Sequence, residues 1–132
     1  MSLPLRLELT SDPLSLPAAR SAVTDYSSQN GFGQEVIERV RLAVTEACTN
    51  VVLHAYDGGV SDARYELEAR VEDAELVVRI RDSGVGMPSE GAARPTQNFG
   101  FGFPVMRATA SSVDVVARPG GGTEIVLRFA TP

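Results

Sequence analysis

The chain contains no lysine, because all twelve of its basic residues are arginine. This absence excludes the P-loop, in which a lysine contacts nucleotide phosphates, and every mechanism that forms a Schiff base on a lysine. Acidic residues outnumber the arginines, so that the formal net charge is −5. We therefore expect no direct binding to nucleic acid, since phosphate backbones are bound by concentrated basic surfaces.

Cysteine and long apolar runs are also scarce. The single cysteine, Cys48, excludes an internal disulfide, and its position in an apolar helical segment indicates a small core residue. No apolar run approaches the roughly 20 residues of a membrane-spanning helix. The N-terminal residues lack the basic and apolar regions of a signal peptide. We therefore expect a cytoplasmic protein with no membrane association.

The first half of the chain shows mainly helical periodicity. A short alternating strand over 5–10 precedes a helix over about 17–29. The segment "NGFG" (30–33) breaks that helix, and a long helix follows over about 34–56. Its apolar residues recur at three- and four-residue steps and define one face: Val36, Val40, Ala43, Ala47 and Val51.

The second half changes to a period of two. Strands are predicted over 65–72 and 76–82, joined by the turn "EDAE", and a hairpin closes the chain around "GGG" (120–122). A glycine-rich turn entering a helix lies between them, over 99–111. This order predicts an α/β (α+β) two-layer sandwich, with an antiparallel or mixed sheet carrying helices on one face. The 132 residues favour a single domain covering 1–132.

An acidic residue ends the second of these strands. Asp82 has the same parity as the apolar residues of its strand, so it is predicted on the core side of the sheet, facing the helices. Gly84 and Gly86 follow it directly. One glycine suffices for a turn, and two indicate a backbone that comes close to a ligand.

A polar stripe runs along the long helix. Glu46, Asn50 and His54 are spaced four residues apart and form a narrow band beside the apolar face. The stripe is either the polar flank of an amphipathic helix or part of a site that it shares with Asp82. The side-chain oxygen of Asn50 is a suitable ligand for Mg²⁺ shared with phosphates. We interpret His54 as a structural hydrogen-bonding group near the helix end.

A second glycine pair, Gly100 and Gly102, lies in "FGFGF" (99–103), where a helix is predicted to begin. Backbone N–H groups and the helix dipole attract an anion at such a position. The alternative is a flexible loop whose phenylalanines pack in the core. A strand-end acid, a Glu/Asn helix and a glycine turn without lysine are together the parts of a nucleotide site.

Four segments in order resemble the GHKL ATPase superfamily, over nearly the whole chain. "EACTNVVLHAY" (46–56) resembles its N box, "DSGVG" (82–86) its first glycine box and "GFGF" (100–103) its second. "GGTEIVL" (121–127) resembles its closing Gly-Thr strand. Within the superfamily, the chain is similar to the anti-sigma factor serine-protein kinases of the RsbW type, which implies a Bergerat-type ATP-binding fold.

The resemblance implies a role in adenine binding for two of these motifs. Asp82 would bind the adenine amino group, helped by Thr123. Gly84 and Gly86 would line the base pocket.

The remaining motif residues would act on the phosphates. By the same resemblance, Gly100, Phe101 and Gly102 would form the phosphate cradle, and Asn50 would hold Mg²⁺. Glu46 would be the general base that accepts the proton of a partner's serine hydroxyl.

One departure from the family leaves two functional interpretations open. Kinase-active members usually carry an arginine just before the second glycine box, whereas residues 96–99 read "TQNF" and the nearest preceding basic residue is Arg94. The first interpretation is a serine/threonine-protein kinase that uses ATP and Mg²⁺, sequesters a sigma factor and phosphorylates an anti-sigma-factor antagonist. The second is a nucleotide-binding regulatory module that binds a protein partner without phosphotransfer.

The resemblance also implies a homodimer. Val77, Val116 and Val126 are predicted on the sheet face away from the helices. They either contribute to a partner interface or are isolated exposed valines of the kind that most proteins carry.

Overall fold

The computed structural model describes residues 3–57, 64–82, 102–119 and 121–131. The strands within these ranges are β1 Leu5–Thr10, β2 Arg64–Glu72, β3 Glu75–Asp82, β4 Ser112–Ala117 and β5 Thr123–Phe129. The helices are α1 Ser15–Gln29, α2 Gln34–Asp57 and α3 Gly102–Thr109.

The five strands form one sheet in the order β1-β2-β3-β5-β4, and every neighbouring pair is antiparallel. Helices α1 and α3 each pack against α2, and α2 contacts β3 and β5. The buried side chains of the helices and of one sheet face form a single apolar cluster. The predicted two-layer sandwich is therefore confirmed, and the sheet is antiparallel throughout.

The core lies between α2 and the sheet. All five predicted apolar positions of the long helix are buried there, and so is Cys48. Burial raises the pKa of the Cys48 thiol to about 12, which makes it a packing residue and a poor nucleophile. Fully burying an aliphatic side chain contributes about 1.5–3 kcal/mol, so this layer contact supplies much of the driving force for folding.

Helix α1 begins two residues before the predicted start, at Ser15. The reason is a local turn at Asp12, whose side chain accepts a hydrogen bond from the Leu14 N–H (2.7 Å) and whose carbonyl accepts one from the Ser15 N–H (3.0 Å). Pro17 then lies within the first helical turn. A proline is tolerated there, because the N–H groups of that turn have no intrahelical acceptor.

The sheet face away from the helices is covered by arginine and glutamate side chains. Glu68 is 5% exposed and accepts hydrogen bonds from Arg6 (3.4 Å), Arg70 (2.9 Å) and Arg81 (3.1 Å). Burial alone would raise the pKa of the Glu68 carboxyl, but the hydrogen bonds and charges of Arg70 and Arg81 together lower it. Glu68 is therefore ionised at neutral pH and stabilises the fold as the centre of this network.

Two valines on this outer face are buried, contrary to the expectation of an exposed apolar surface. Val77 is 0% and Val126 7% exposed, whereas Val116, on the edge strand, is 47% exposed. Val77 lies directly opposite Arg70 and Arg128 on the neighbouring strands, and their long side chains shield it. Val77 and Val126 therefore contribute little to an apolar partner interface.

We predict that Glu68→Gln lowers the free energy of unfolding at pH 7 by roughly 1–3 kcal/mol, because the substitution leaves the surrounding arginines without their shared charge. Because folding lowers the pKa of the Glu68 carboxyl, its stabilising effect is fully present at pH values above 4.5, the ordinary pKa of a glutamate. This effect is lost as the pH falls through the pKa of the folded protein. The difference between variant and wild type should therefore shrink in acid. Urea unfolding at several pH values measures it.

The matched control is Glu8→Gln, since Glu8 lies on the same face in an exposed pair with Arg64 at 4.0 Å. That variant should lose no more than about 0.5 kcal/mol. Equal losses in the two variants, or a loss in Glu68→Gln that does not depend on pH, would show that Glu68 is not the electrostatic centre of the network.

Candidate functional site

Asp82 is the last residue of β3 and lies on the core side of the sheet, as its parity predicts. It is 7% exposed. Its direct cross-strand neighbours are Tyr65 on β2 and Thr123 on β5. The antiparallel register of β3 and β5 therefore brings together Asp82 and Thr123, the two residues assigned to adenine binding.

The carboxylate of Asp82 has no hydrogen-bond partner among the described residues. Both oxygens are inaccessible to solvent, and neither accepts a hydrogen bond of normal geometry. Burial raises the pKa of this carboxyl, while the nearby backbone N–H of Thr123 and the charge of Arg118 oppose the rise. A buried acid without partners is unfavourable for folding, and such groups often mark a functional site.

Asn50 is the second buried polar residue of the candidate site. It lies on α2, is 5% exposed, and its side-chain nitrogen has no hydrogen-bond partner within the described ranges. Because α2 packs on β3 and β5, Asn50 belongs to the helix that covers the strands of Asp82 and Thr123. Three unpaired buried polar atoms therefore come from two elements in contact, which is the arrangement expected of a site that receives a polar ligand.

Glu46 lies one helical turn before Asn50 on α2 and is partly exposed. This difference in exposure suits different roles. A buried amide can act on a ligand enclosed by the site, whereas a partly exposed carboxylate can reach a group that approaches from solvent. The predicted polar stripe thus runs from a buried position at Asn50 to the surface at Glu46.

Another unpaired buried atom is distant from this site. The hydroxyl of Tyr26 on α1 has no hydrogen-bond partner in the described part of the chain. After burial, the backbone of Val71 is the group that most affects the pKa of this hydroxyl. Val71 pairs with Leu76, at the opposite end of β3 from Asp82. The Tyr26 hydroxyl is therefore not part of the candidate site.

Several predicted site residues lie outside the described residues: Gly84, Gly86, Gly100, Phe101 and also Arg94. Gly102 is the first residue of α3, so a helix does begin at the second glycine segment, as predicted. His54 lies within α2.

Arg118 is a residue of the site that the sequence analysis did not identify. Its guanidinium donates a hydrogen bond to the main-chain carbonyl of Asp82 at 2.8 Å. The closing hairpin is the feature of the sequence that could have indicated this contact. Ala117 pairs with Thr123 in that hairpin, and Thr123 pairs with Asp82 on the neighbouring strand. An arginine that directly follows Ala117 is therefore placed beside the end of β3.

A depression of about 820 Å³ lies on the outer face of the sheet, away from the candidate site. Charged side chains such as Arg70, Glu68 and Arg81 line it. These charges are paired with one another, so the depression offers a ligand fewer unsatisfied groups than the surroundings of Asp82.

Two features are absent from the described ranges. No helix there is long and apolar enough to cross a membrane. The same residues contain no cluster of three or more His, Cys, Asp or Glu side chains that would hold a metal ion.

Comparison with known proteins is consistent with this geometry. Histidine kinase-like ATPase domains match residues 9–129. The anti-sigma F factor of Clostridium acetobutylicum is 32% identical over 120 residues, which cover 83% of this chain and 81% of that protein. The anti-sigma F factor of Pasteuria penetrans is 29% identical over 129 residues, with 92% and 86% covered.

Two solved structures share the fold. The RsbU and RsbW domains from Mycobacterium tuberculosis match with a TM-score of 0.75 and 19% identity, covering 98% of this chain and 32% of that one. A blue-light activated histidine kinase domain from Erythrobacter litoralis matches with a TM-score of 0.55 and 20% identity, covering 86% and 60%. The chain thus spans about a third of the first structure, and it belongs to the histidine kinase-like ATPase domain family, in which its relatives include anti-sigma F factors.

Proposed function

We propose that this chain binds ATP and Mg²⁺ between α2 and the Asp82 end of β3, and that it is a serine-protein kinase that restrains a sigma factor. The observation that carries the proposal is the buried Asp82 carboxylate, which lies beside Thr123 without a hydrogen-bond partner among the described residues. Sequestration of a sigma factor and phosphorylation of its antagonist on serine complete the proposed cycle. The anti-sigma F factors among the relatives support the choice of partner.

The chemistry of Asp82 suits recognition of an adenine base. An ionised carboxylate only accepts hydrogen bonds, and the exocyclic amine of adenine is a donor. A bound amine would satisfy an oxygen that is otherwise buried and unpaired. Thr123 adds a hydroxyl on the adjacent strand, and Gly84 with Gly86 complete the proposed base pocket.

Asn50 fits a magnesium site that is completed by phosphates. Mg²⁺ commonly takes only one or two protein oxygens and fills its remaining positions with water and nucleotide phosphates. Asn50 would supply the protein oxygen, and its unpaired nitrogen is free to donate to a phosphate. Gly100, Phe101 and Gly102 would contribute the phosphate-binding turn at the start of α3.

Glu46 is the proposed general base. ATP supplies the phosphoryl group when it is bound, and phosphoryl transfer depends mainly on positioning and charge neutralisation. A partner's serine hydroxyl loses its proton as its oxygen becomes the nucleophile, and the Glu46 carboxylate accepts that proton. The partial exposure of Glu46 allows a second protein to reach it. A homodimer remains part of the proposal.

A second candidate function is a module that binds nucleotide and a protein partner without phosphotransfer. The observation that favours it is the segment 96–99, which reads "TQNF" and lacks the arginine that kinase-active members usually carry. An arginine that stabilises the charge of the transferred phosphoryl group raises the rate of transfer about 10³–10⁵-fold.

We predict that Asp82→Asn abolishes binding of Mg-ADP without lowering the free energy of unfolding of the nucleotide-free protein. The pKa of Asp82 is raised by burial, so its ionised form opposes folding as the pH rises above the ordinary value of 3.8, and the uncharged amide removes that penalty. Calorimetric titration and urea unfolding measure the two effects. Unaltered Mg-ADP affinity in this variant would overturn the assignment of the base pocket.

Glu46→Gln should retain nucleotide affinity within about two-fold and slow serine phosphorylation by roughly 10²–10⁴-fold, because only the proton acceptor is lost. The assay follows transfer from radiolabelled ATP to a cognate antagonist protein. Glu35→Gln is the control, since Glu35 lies exposed in the first turn of α2 and pairs with Arg39.

Three results separate the interpretations. Loss of phosphoryl transfer in Glu46→Gln, but not in Glu35→Gln, supports the kinase interpretation. Equal transfer in wild type and Glu46→Gln contradicts the role of Glu46. A wild-type protein that binds ATP and labels no antagonist is the non-transferring module.

A further inference from the structure

Arg118 is held in place by a tight turn between β4 and β5. Its backbone N–H donates to the Gly122 carbonyl (3.0 Å), and its own carbonyl accepts from the Gly121 N–H (3.0 Å). Gly121 and Gly122 have φ of 115° and 95°, in the region that residues other than glycine rarely adopt. Because the turn fixes its backbone, the Arg118 guanidinium is directed to the end of β3, where it binds the Asp82 carbonyl at 2.8 Å.

The surroundings of the Asp82 carboxyl contain one charge that acts on it within the described residues. Tyr65 on β2 is neutral, since burial raises the pKa of its phenol and its hydroxyl is bonded to Ser15 (2.8 Å). Thr123 on β5 and Asn50 on α2 are uncharged, and Glu46, one turn before Asn50, is partly exposed to solvent. The backbone N–H of Thr123 is the larger influence that opposes protonation of the buried acid, and Arg118 is the charged group that adds to it.

The protonation state of this carboxyl decides which base it can recognise. An ionised carboxylate only accepts hydrogen bonds and so pairs with the amine of adenine. A protonated carboxyl also carries an O–H donor and pairs equally well with the carbonyl oxygen that hypoxanthine presents at the same ring position. Selectivity between the two bases thus requires an aspartate that stays ionised despite its burial.

We propose that Arg118 is a positioning residue that contributes to base specificity, because its guanidinium holds the end of β3 through the Asp82 carbonyl and its charge favours the purely accepting form of the Asp82 carboxyl. The inference rests on the proposed nucleotide-binding function and adds a specificity element to that site. It assigns to the β4–β5 turn a role in choosing adenine over hypoxanthine.

The test compares Mg-ADP with Mg-IDP, two nucleotides that differ in this base group and avoid turnover. Calorimetry would give both dissociation constants for wild type, Arg118→Gln and Arg118→Lys across about pH 5 to pH 8. Arg118→Gln should reduce the preference for ADP roughly ten-fold, most strongly at low pH, since loss of a charged partner lets Asp82 take a proton at higher pH. Arg118→Lys retains the charge and should retain most of the preference.

Arg128→Gln is the control for the loss of one positive charge. Arg128 lies near the opposite end of β5, on the outer face, where it pairs with Glu72 at 3.9 Å. Its removal should leave the preference for ADP unchanged.

The outcomes distinguish this inference from the proposed function. If Arg118→Gln loses ADP and IDP affinity by the same factor at every pH, Arg118 has only a structural role and the inference is wrong. Unchanged affinities for both ADP and IDP in Arg118→Gln also contradict it, and leave the nucleotide site intact. If the wild type binds neither nucleotide, the proposed function itself fails.

Discussion

The packing between α2 and the sheet has to accommodate a carboxylate whose oxygens are inaccessible to solvent. Asp82 ends a strand whose other core-facing residues are apolar, and its oxygens have no hydrogen-bond partner in the described part of the chain. This arrangement opposes folding unless the rest of the molecule compensates, and the apolar contact between α2 and the sheet does so. The same contact places α2, the helix that carries Asn50, on the strands of Asp82 and Thr123.

The two faces of the sheet are stabilised by different interactions. The helix-facing side holds the apolar core and the candidate site, while the outer side is stabilised by charge pairs centred on Glu68. A chain without lysine suits this outer face, because the planar guanidinium binds several oxygens at once. Arg81, for example, contacts both Glu68 and Glu124. The candidate site and the charge pairs of the outer face thus lie on opposite sides of the sheet.

Local periodicity was sufficient to predict the sandwich, the buried face of α2 and the core-side position of Asp82, since each depends on residues close in sequence. Contacts between distant strands could not be predicted in this way. The burial of Val77 depends on arginines of neighbouring strands, and the contact of Arg118 with Asp82 depends on the register of β3, β4 and β5. The roles of Gly84 and Gly86 remain predictions, because these residues lie outside the described ranges.

The most direct test of the account is a pH titration of the Asp82 carboxyl by carbon-13 NMR, with and without saturating Mg-ADP. The signal is assigned by its loss in Asp82→Asn. Without nucleotide, the carboxyl should titrate above the ordinary aspartate value of 3.8, because it is buried. With Mg-ADP, its pKa should fall, since an amine donor favours the ionised form. Identical titrations of Asp82 with and without Mg-ADP would contradict the claim that this carboxylate recognises adenine.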